Sequence, residues 1–258
     1  MTKQQFLAAA LFSSALLTLA GGCSKMKAKP AADSGFLADS EKMAEYRERA
    51  PFNRLWVDEK FDLLNYDSLF VAPVNTDFLI EQNTWAKANP RNIKIEDDTK
   101  KIAVKMREKV IDAFQSSDEN RFALVDGVPQ TTAAAKTMIF ELALTELVPS
   151  KAILGAIGVA SWAVTPVVGI PIGAVASMAD DGWIAIEGRI RDGETGEVVA
   201  IFADREKAKT RILDLTSVTW YAHTTEIMGD WSQQFVTLAN APKDFEVEDS
   251  NPFRLRPW

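Results

Sequence analysis

One cysteine and one histidine are all that the 258 residues contain of two of the most reactive side chains. A single thiol excludes an internal disulfide. A single imidazole, His223, excludes a zinc site built on the usual two or three histidines. It stands beside the apolar stripe of the last helical stretch, the setting of a hydrogen-bonded, half-buried histidine rather than of a catalytic one. A Gly-x-Ser-x-Gly elbow and a Gly-x-x-x-x-Gly-Lys-Ser/Thr phosphate loop are both missing. Clustered Lys and Arg are missing too, and the formal net charge is −7, so the chain is a poor partner for a phosphate backbone. The turn at 192–197 lacks the spaced oxygen ligands of a calcium loop. The tail carries Arg254, Arg256 and Trp258, but the repeated ten-residue alternation of an outer-membrane barrel is absent. There is no internal repeat and no low-complexity stretch. No cofactor, no metal and no nucleic acid are expected.

The N-terminus is far less reticent. A cationic start at Lys3, an apolar run from Phe6 to Leu19 and the small residues Ala20-Gly21-Gly22 supply the three parts of a cleavable export signal. The run is short of the roughly 20 residues that a spanning helix needs. Cys23 follows at once, and Leu19-Ala20-Gly21-Gly22-Cys23 resembles a lipobox, in which that thiol receives diacylglycerol. Residues 1–22 are therefore expected to be a lipoprotein signal peptide and Cys23 the lipidated residue. Ser24 after the cysteine resembles an outer-membrane address, which places the expected domain in the periplasm. Residues 23–33 read as a polar tether, with Lys25, Lys27 and Lys29 suited equally to anionic headgroups and to plain solvation; fully extended, it reaches about 35 Å.

Beyond the tether, residues 34–240 read as one domain and 241–258 as a tail. Periodicity assigns its elements. Tyr66 to Val74 is an apolar strand stopped near Pro73. Asp97-Asp98-Thr99 opens a helix with Ile102, Met106, Val110 and Phe114 on one stripe. Phe122 to Val125 is a short strand. Lys136 to Val148 alternates, Met138, Phe140, Leu142 and Leu144 on one face, Glu141, Ala143 and Thr145 on the other. Trp183 to Arg191 sets Ile184, Ile186 and Ile190 against Glu187, Arg189 and Arg191. The turn 192–196 returns the chain into Glu197 to Asp204 as a hairpin. Ser217 to Asn240 carries Trp220, Thr224, Ile227, Trp231, Phe235 and Leu238 at helical spacing. The expected fold is α+β: an antiparallel sheet of about five strands with two helices on one face.

Three short motifs occur in a telling order: Ser34-Gly35-Phe36-Leu37, then Tyr66-Asp67 leading into Val71-Ala72-Pro73-Val74, then Asp192-Gly193-Glu194-Thr195-Gly196-Glu197-Val198. Together they resemble the bacterial lipoproteins grouped as domain of unknown function 3313, over about 34–239. The resemblance implies an envelope lipoprotein and supplies no reaction. Two parts depart from it, the tail and a long apolar insertion.

That insertion, 152–178, contains no charged residue. It is long enough to cross a bilayer, but Pro166 and Pro171 interrupt a helix and four glycines dilute it. A crossing would also place the strands at 136–148 and 183–204 on opposite sides of the membrane. Three readings stay open: apolar helices packed in the core or between subunits, a flap dipping into the membrane, and a spanning segment. Ile157, Trp162, Val167 and Ile170 are the candidate contact residues.

Two functions follow. One is a non-enzymatic envelope lipoprotein that binds a partner, a second copy or the membrane through 152–178. The alternative is a hydrolase acting on an envelope substrate through paired carboxylates drawn from Glu141, Glu187, Asp192 and Asp204, which requires two of them to face one cleft. Against this stands the plainer pairing of Glu141 and Glu187 with Arg189 and Arg191 on a solvated face.

Overall fold

Period-two alternation dominates the described chain. A computed structural model describes residues 28–45, 51–79, 95–127, 136–148, 182–207, 221 and 224–241. Its strands are β1 (Ala44–Glu45), β2 (Arg54–Val57), β3 (Ser68–Val71), β4 (Ala123–Leu124), β5 (Thr137–Val148), β6 (Trp183–Asp192) and β7 (Val198–Lys207). Two helices accompany them, α1 (Ile95–Ser116) between β3 and β4, and α2 (Thr224–Asn240) after β7.

All seven strands form one sheet in the order β1-β2-β7-β6-β5-β3-β4. The expectation of about five antiparallel strands is corrected on two points. First, β1 and β2 are additional; two and four residues are too short to show an alternation. Second, the sheet is mixed: β3 runs parallel to both β4 and β5, while β5, β6, β7, β2 and β1 are antiparallel neighbours. Parallel neighbours need a crossover, and α1 is the crossover from β3 to β4. The hairpin turn at 192–196 reports only on β6 and β7.

Both helices share one core with one face of the sheet. From α1 come Ile102, Met106, Val110 and Phe114, and from α2 Ile227, Met228, Trp231, Phe235 and Val236, against Met138, Phe140, Leu142, Leu144, Ile184, Ile186 and Phe202. Glu96, Asp97 and Asp98 occupy the first turn of α1, where they favour the helix N-terminus; the helix begins at Ile95, two residues before the expected start. Phe202 stacks on Phe52 at 4.4 Å and approaches Phe235 at 5.6 Å. Its ring covers Gly188 on the neighbouring strand so closely that a Cβ there would lie 2.1 Å from it. Among the described residues no helix is long and apolar enough to cross a membrane.

A bulge decides what the other face carries. The β5–β6 register shifts between Leu144 and Glu146. One extra residue reverses the alternation that follows. Glu146, which strict alternation would turn toward the helices, therefore pairs with Ala185 and joins the outer face, and Leu147 faces Ile184 in the core.

Candidate functional site

The outer face of the sheet gathers most of the buried charge, and the N-terminal segment covers it. Glu187 is 2% exposed at the middle of β6. Ser34 meets it twice: its backbone N–H donates to Oε1 at 3.0 Å and its hydroxyl to Oε2 at 2.7 Å. The same hydroxyl accepts from the Phe36 N–H at 3.1 Å, closing a local turn. Between them Gly35 has φ 93°, a left-handed conformation that a side chain disfavours. Phe36 is buried under the Arg189 guanidinium, 4.6 Å from the ring centre. Leu37 and Met43 then bury themselves with Ala143, Ile201 and Ala203 in a second, smaller cluster.

Ion pairs border this strap. Arg189 pairs with Glu141 at 2.6 Å, and Arg191 lies 3.9 Å from the same carboxylate. Arg54 pairs with Asp33, and this hydrogen bond holds the Asp33 carboxyl below its ordinary pKa. Arg205 pairs with the buried Glu146 at 2.7 Å, lies over the Trp183 ring at 4.3 Å and points one guanidinium nitrogen at the Lys29 carbonyl, 3.5 Å away.

The candidate carboxylates do not converge. Glu141 and Glu187 are on the outer face, each held by its own partner. Asp204 is on the helix face, 1% exposed, accepting from Trp231 Nε1 at 2.8 Å and from the Asn53 backbone at 2.9 Å. Asp192 closes the hairpin, its Oδ1 accepting from the N–H groups of Glu194 and Thr195 and its Oδ2 from the Tyr66 hydroxyl at 2.8 Å. Burial works to raise the Asp192 pKa, but these donors outweigh it and the net shift is downward. The Tyr66 hydroxyl is pushed well above its usual value by burial and then by the Asp192 carboxylate. Glu187 thus differs from the arginine pairing expected of it, because Arg189 is taken by Glu141 while the strap reaches Glu187 first. Nor is the face around them solvated; it is the floor beneath the strap. Among the described residues no group of three or more His, Cys, Asp or Glu is placed to hold a metal ion.

Cys23, Ile157, Trp162, Val167, Ile170 and His223 lie outside the described residues. Sequence reasoning missed the Glu146–Arg205–Trp183 cluster, which depends on the bulge. It also treated Ser34 to Leu37 as a marker only. The signal was present, since a Ser-Gly pair before two apolar residues is a turn delivering side chains to a surface.

The three motifs thus act together: Ser34-Gly35-Phe36-Leu37 clasps the outer face, and Tyr66 ties β3 to the Asp192 turn. The family model described as "Protein of unknown function (DUF3313)" matches residues 32–235, a span that contains all three. The chain belongs to this family. No curated protein matches the DUF3313 chain. Among solved structures it is similar to a PelC dodecamer from Paraburkholderia phytofirmans, at 8% identity and TM-score 0.34, over 71% of this chain and 95% of that one. A point variant of the same PelC gives 9% identity and TM-score 0.33, over 70% and 98%. The hypothetical protein CT253 from Chlamydia trachomatis gives 9% identity and TM-score 0.29, over 66% and 93%.

Proposed function

We propose that this DUF3313 protein is an exported lipoprotein, acylated at Cys23 and anchored in the outer membrane, whose domain faces the periplasm and acts by binding or assembly rather than by catalysis. The observation that carries this reading is the fate of the charged side chains. Asp204 sits on the helix face, and Glu141 and Glu187, which share the outer face, are taken up by Arg189 and by the covering Ser34, whereas a carboxylate-dependent hydrolase needs two of them free across one cleft. The clasped strap adds support. Ala28 is already buried against the domain, so the chain from Cys23 reaches structure within five residues. The partner-binding part of the reading falls on 152–178, through Ile157, Trp162, Val167 and Ile170, with a second copy, another envelope protein or the membrane as the contact.

Metabolic labelling tests the anchor. Cells fed a labelled fatty acid should yield labelled wild-type protein in the membrane fraction, and Cys23→Ala should carry no label. An unlabelled wild type overturns the lipoprotein reading. In-cell cross-linking followed by affinity capture tests the binding role, which predicts specific adducts lost in the Ile157→Asp, Trp162→Asp pair.

A further inference from the structure

The chain leaves the described sheet at Val148 and re-enters it at Gly182, directly before Trp183. Val148 and Trp183 are paired residues, and Trp183 also pairs with Lys207 on the next strand. Arg205 lies over the Trp183 ring, and its guanidinium reaches the Lys29 carbonyl. The described N-terminal segment therefore begins at this same corner, the end of the β5–β6–β7 arm. Ala28, 5% exposed, is held there five residues after Cys23. Five residue steps of at most about 3.6 Å put the Cys23 Cα within roughly 18 Å of that point.

Charge separates the two ends of the arm. Among the described residues the exposed cations at the corner are Lys29 and Lys207, with Arg205 already matched to Glu146 and Glu206 as the acidic neighbour. At the far end, about 30 Å away along the strands, Glu194 and Glu197 lie in the hairpin turn. Asp58 is there too, its backbone N–H bonded to the Val199 carbonyl, while Asp67 is matched by Lys136 at 3.5 Å. An anionic lipid surface attracts the first end and repels the second.

We propose that the Lys29–Trp183–Lys207 corner is the face this domain sets against an anionic lipid bilayer, so that the strands stand away from the membrane with the hairpin turn outermost. This rests on the lipid-anchor reading, since it is the short leash to Cys23 that forces one corner down. With Cys23 acylated, the mature chain offers no other thiol, and an introduced cysteine is a unique label site. The experiment uses full-length, lipidated protein carrying Lys207→Cys or Glu194→Cys, both exposed positions, each labelled with a fluorophore. Vesicles of phosphatidylethanolamine and phosphatidylglycerol carry a headgroup nitroxide. Quenching should be several-fold stronger at position 207 than at 194, and raised salt should lessen the contrast. Equal quenching, or stronger quenching at 194, overturns the orientation while the protein still floats with the vesicles. Failure of unsubstituted lipidated protein to float overturns the anchor reading itself, and the orientation with it.

Discussion

Tyr66 and Asp192 show how one hydrogen bond joins distant sequence. The hydroxyl and carboxylate are 2.8 Å apart across the junction of β3 and the hairpin turn. A hydrogen bond to a charged acceptor contributes about 1.5–3 kcal/mol, and this one is half-buried, so Tyr66→Phe should cost about 1–2 kcal/mol in chemical denaturation. Its pH dependence has two limbs. The lowered Asp192 pKa contributes stability that is full above the ordinary carboxylate value of about 3.9 and is lost as pH falls through the folded value. The raised Tyr66 pKa contributes stability that is full below about 10 and is lost as pH rises toward its folded value. Tyr66→Phe should abolish the Tyr66 share of the alkaline limb and weaken the acid one. An alkaline limb unchanged in the variant would remove this account. Gly188 is a second such residue. Because the Phe202 ring occupies the place of its missing side chain, Gly188→Ala should destabilise by about 1–3 kcal/mol, the cost of overpacking a core. A melting temperature equal to wild type would show that the ring is free to move.

At the scale of elements the strap is the part with a specific energetic signature. It holds on through Ser34 to a carboxylate that is 2% exposed, and through Phe36 and Leu37 to apolar surface. Ser34→Ala should cost about 1.5–3 kcal/mol. Glu187→Gln should cost a similar amount, and the double variant less than the sum, because both remove one interaction. Additive costs would mean that Ser34 and Glu187 act independently. Limited proteolysis gives the local readout, with cleavage in 28–45 accelerated more than cleavage in β5–β7. The β5 bulge belongs to this scale as well. By moving Glu146 to the outer face it brings together the glutamate, Arg205 and Trp183, a cluster that depends on one inserted residue.

For the whole molecule, the strap joins what looked like separate regions. Residues 23–33 read as a tether, yet Ala28 is buried and Asp33 is paired with Arg54. A chain beginning at Ser34 should fold, since it keeps the Ser34–Glu187 contacts and both clusters, but should melt below the full mature protein for lack of the Asp33–Arg54 pair. Its behaviour sorts the readings of 152–178. Vesicle binding that is lost on Ile157→Asp with Trp162→Asp supports membrane contact; a monodisperse oligomer without detergent supports packing between subunits. Aggregation unless detergent is present, with protease sites on both sides of the membrane in cells, supports the spanning segment.

The sequence by itself determined which residues face which way along the long elements. The alternation in 138–144 and 184–190 and the stripe 102, 106, 110 and 114 are direct consequences of the two- and 3.6-residue periods, so which side chains meet in the core between sheet and helices followed from spacing. The family was legible too, because its motifs are short runs, two turns and the strand β3, that can be read locally. Parallel or antiparallel pairing of β3 was a tertiary matter: a strand of four residues carries no mark of its neighbour's direction, and the α1 crossover settles it. The two outermost strands, β1 and β2, had no periodic signal to offer. The same holds for the candidate carboxylates. Alternation placed Glu141 and Glu187 on one face, but whether such a face meets solvent depends on what folds back over it. Ser34 and Glu187 are 153 positions apart, and only closure of the strap onto the sheet brings that hydroxyl to that carboxylate.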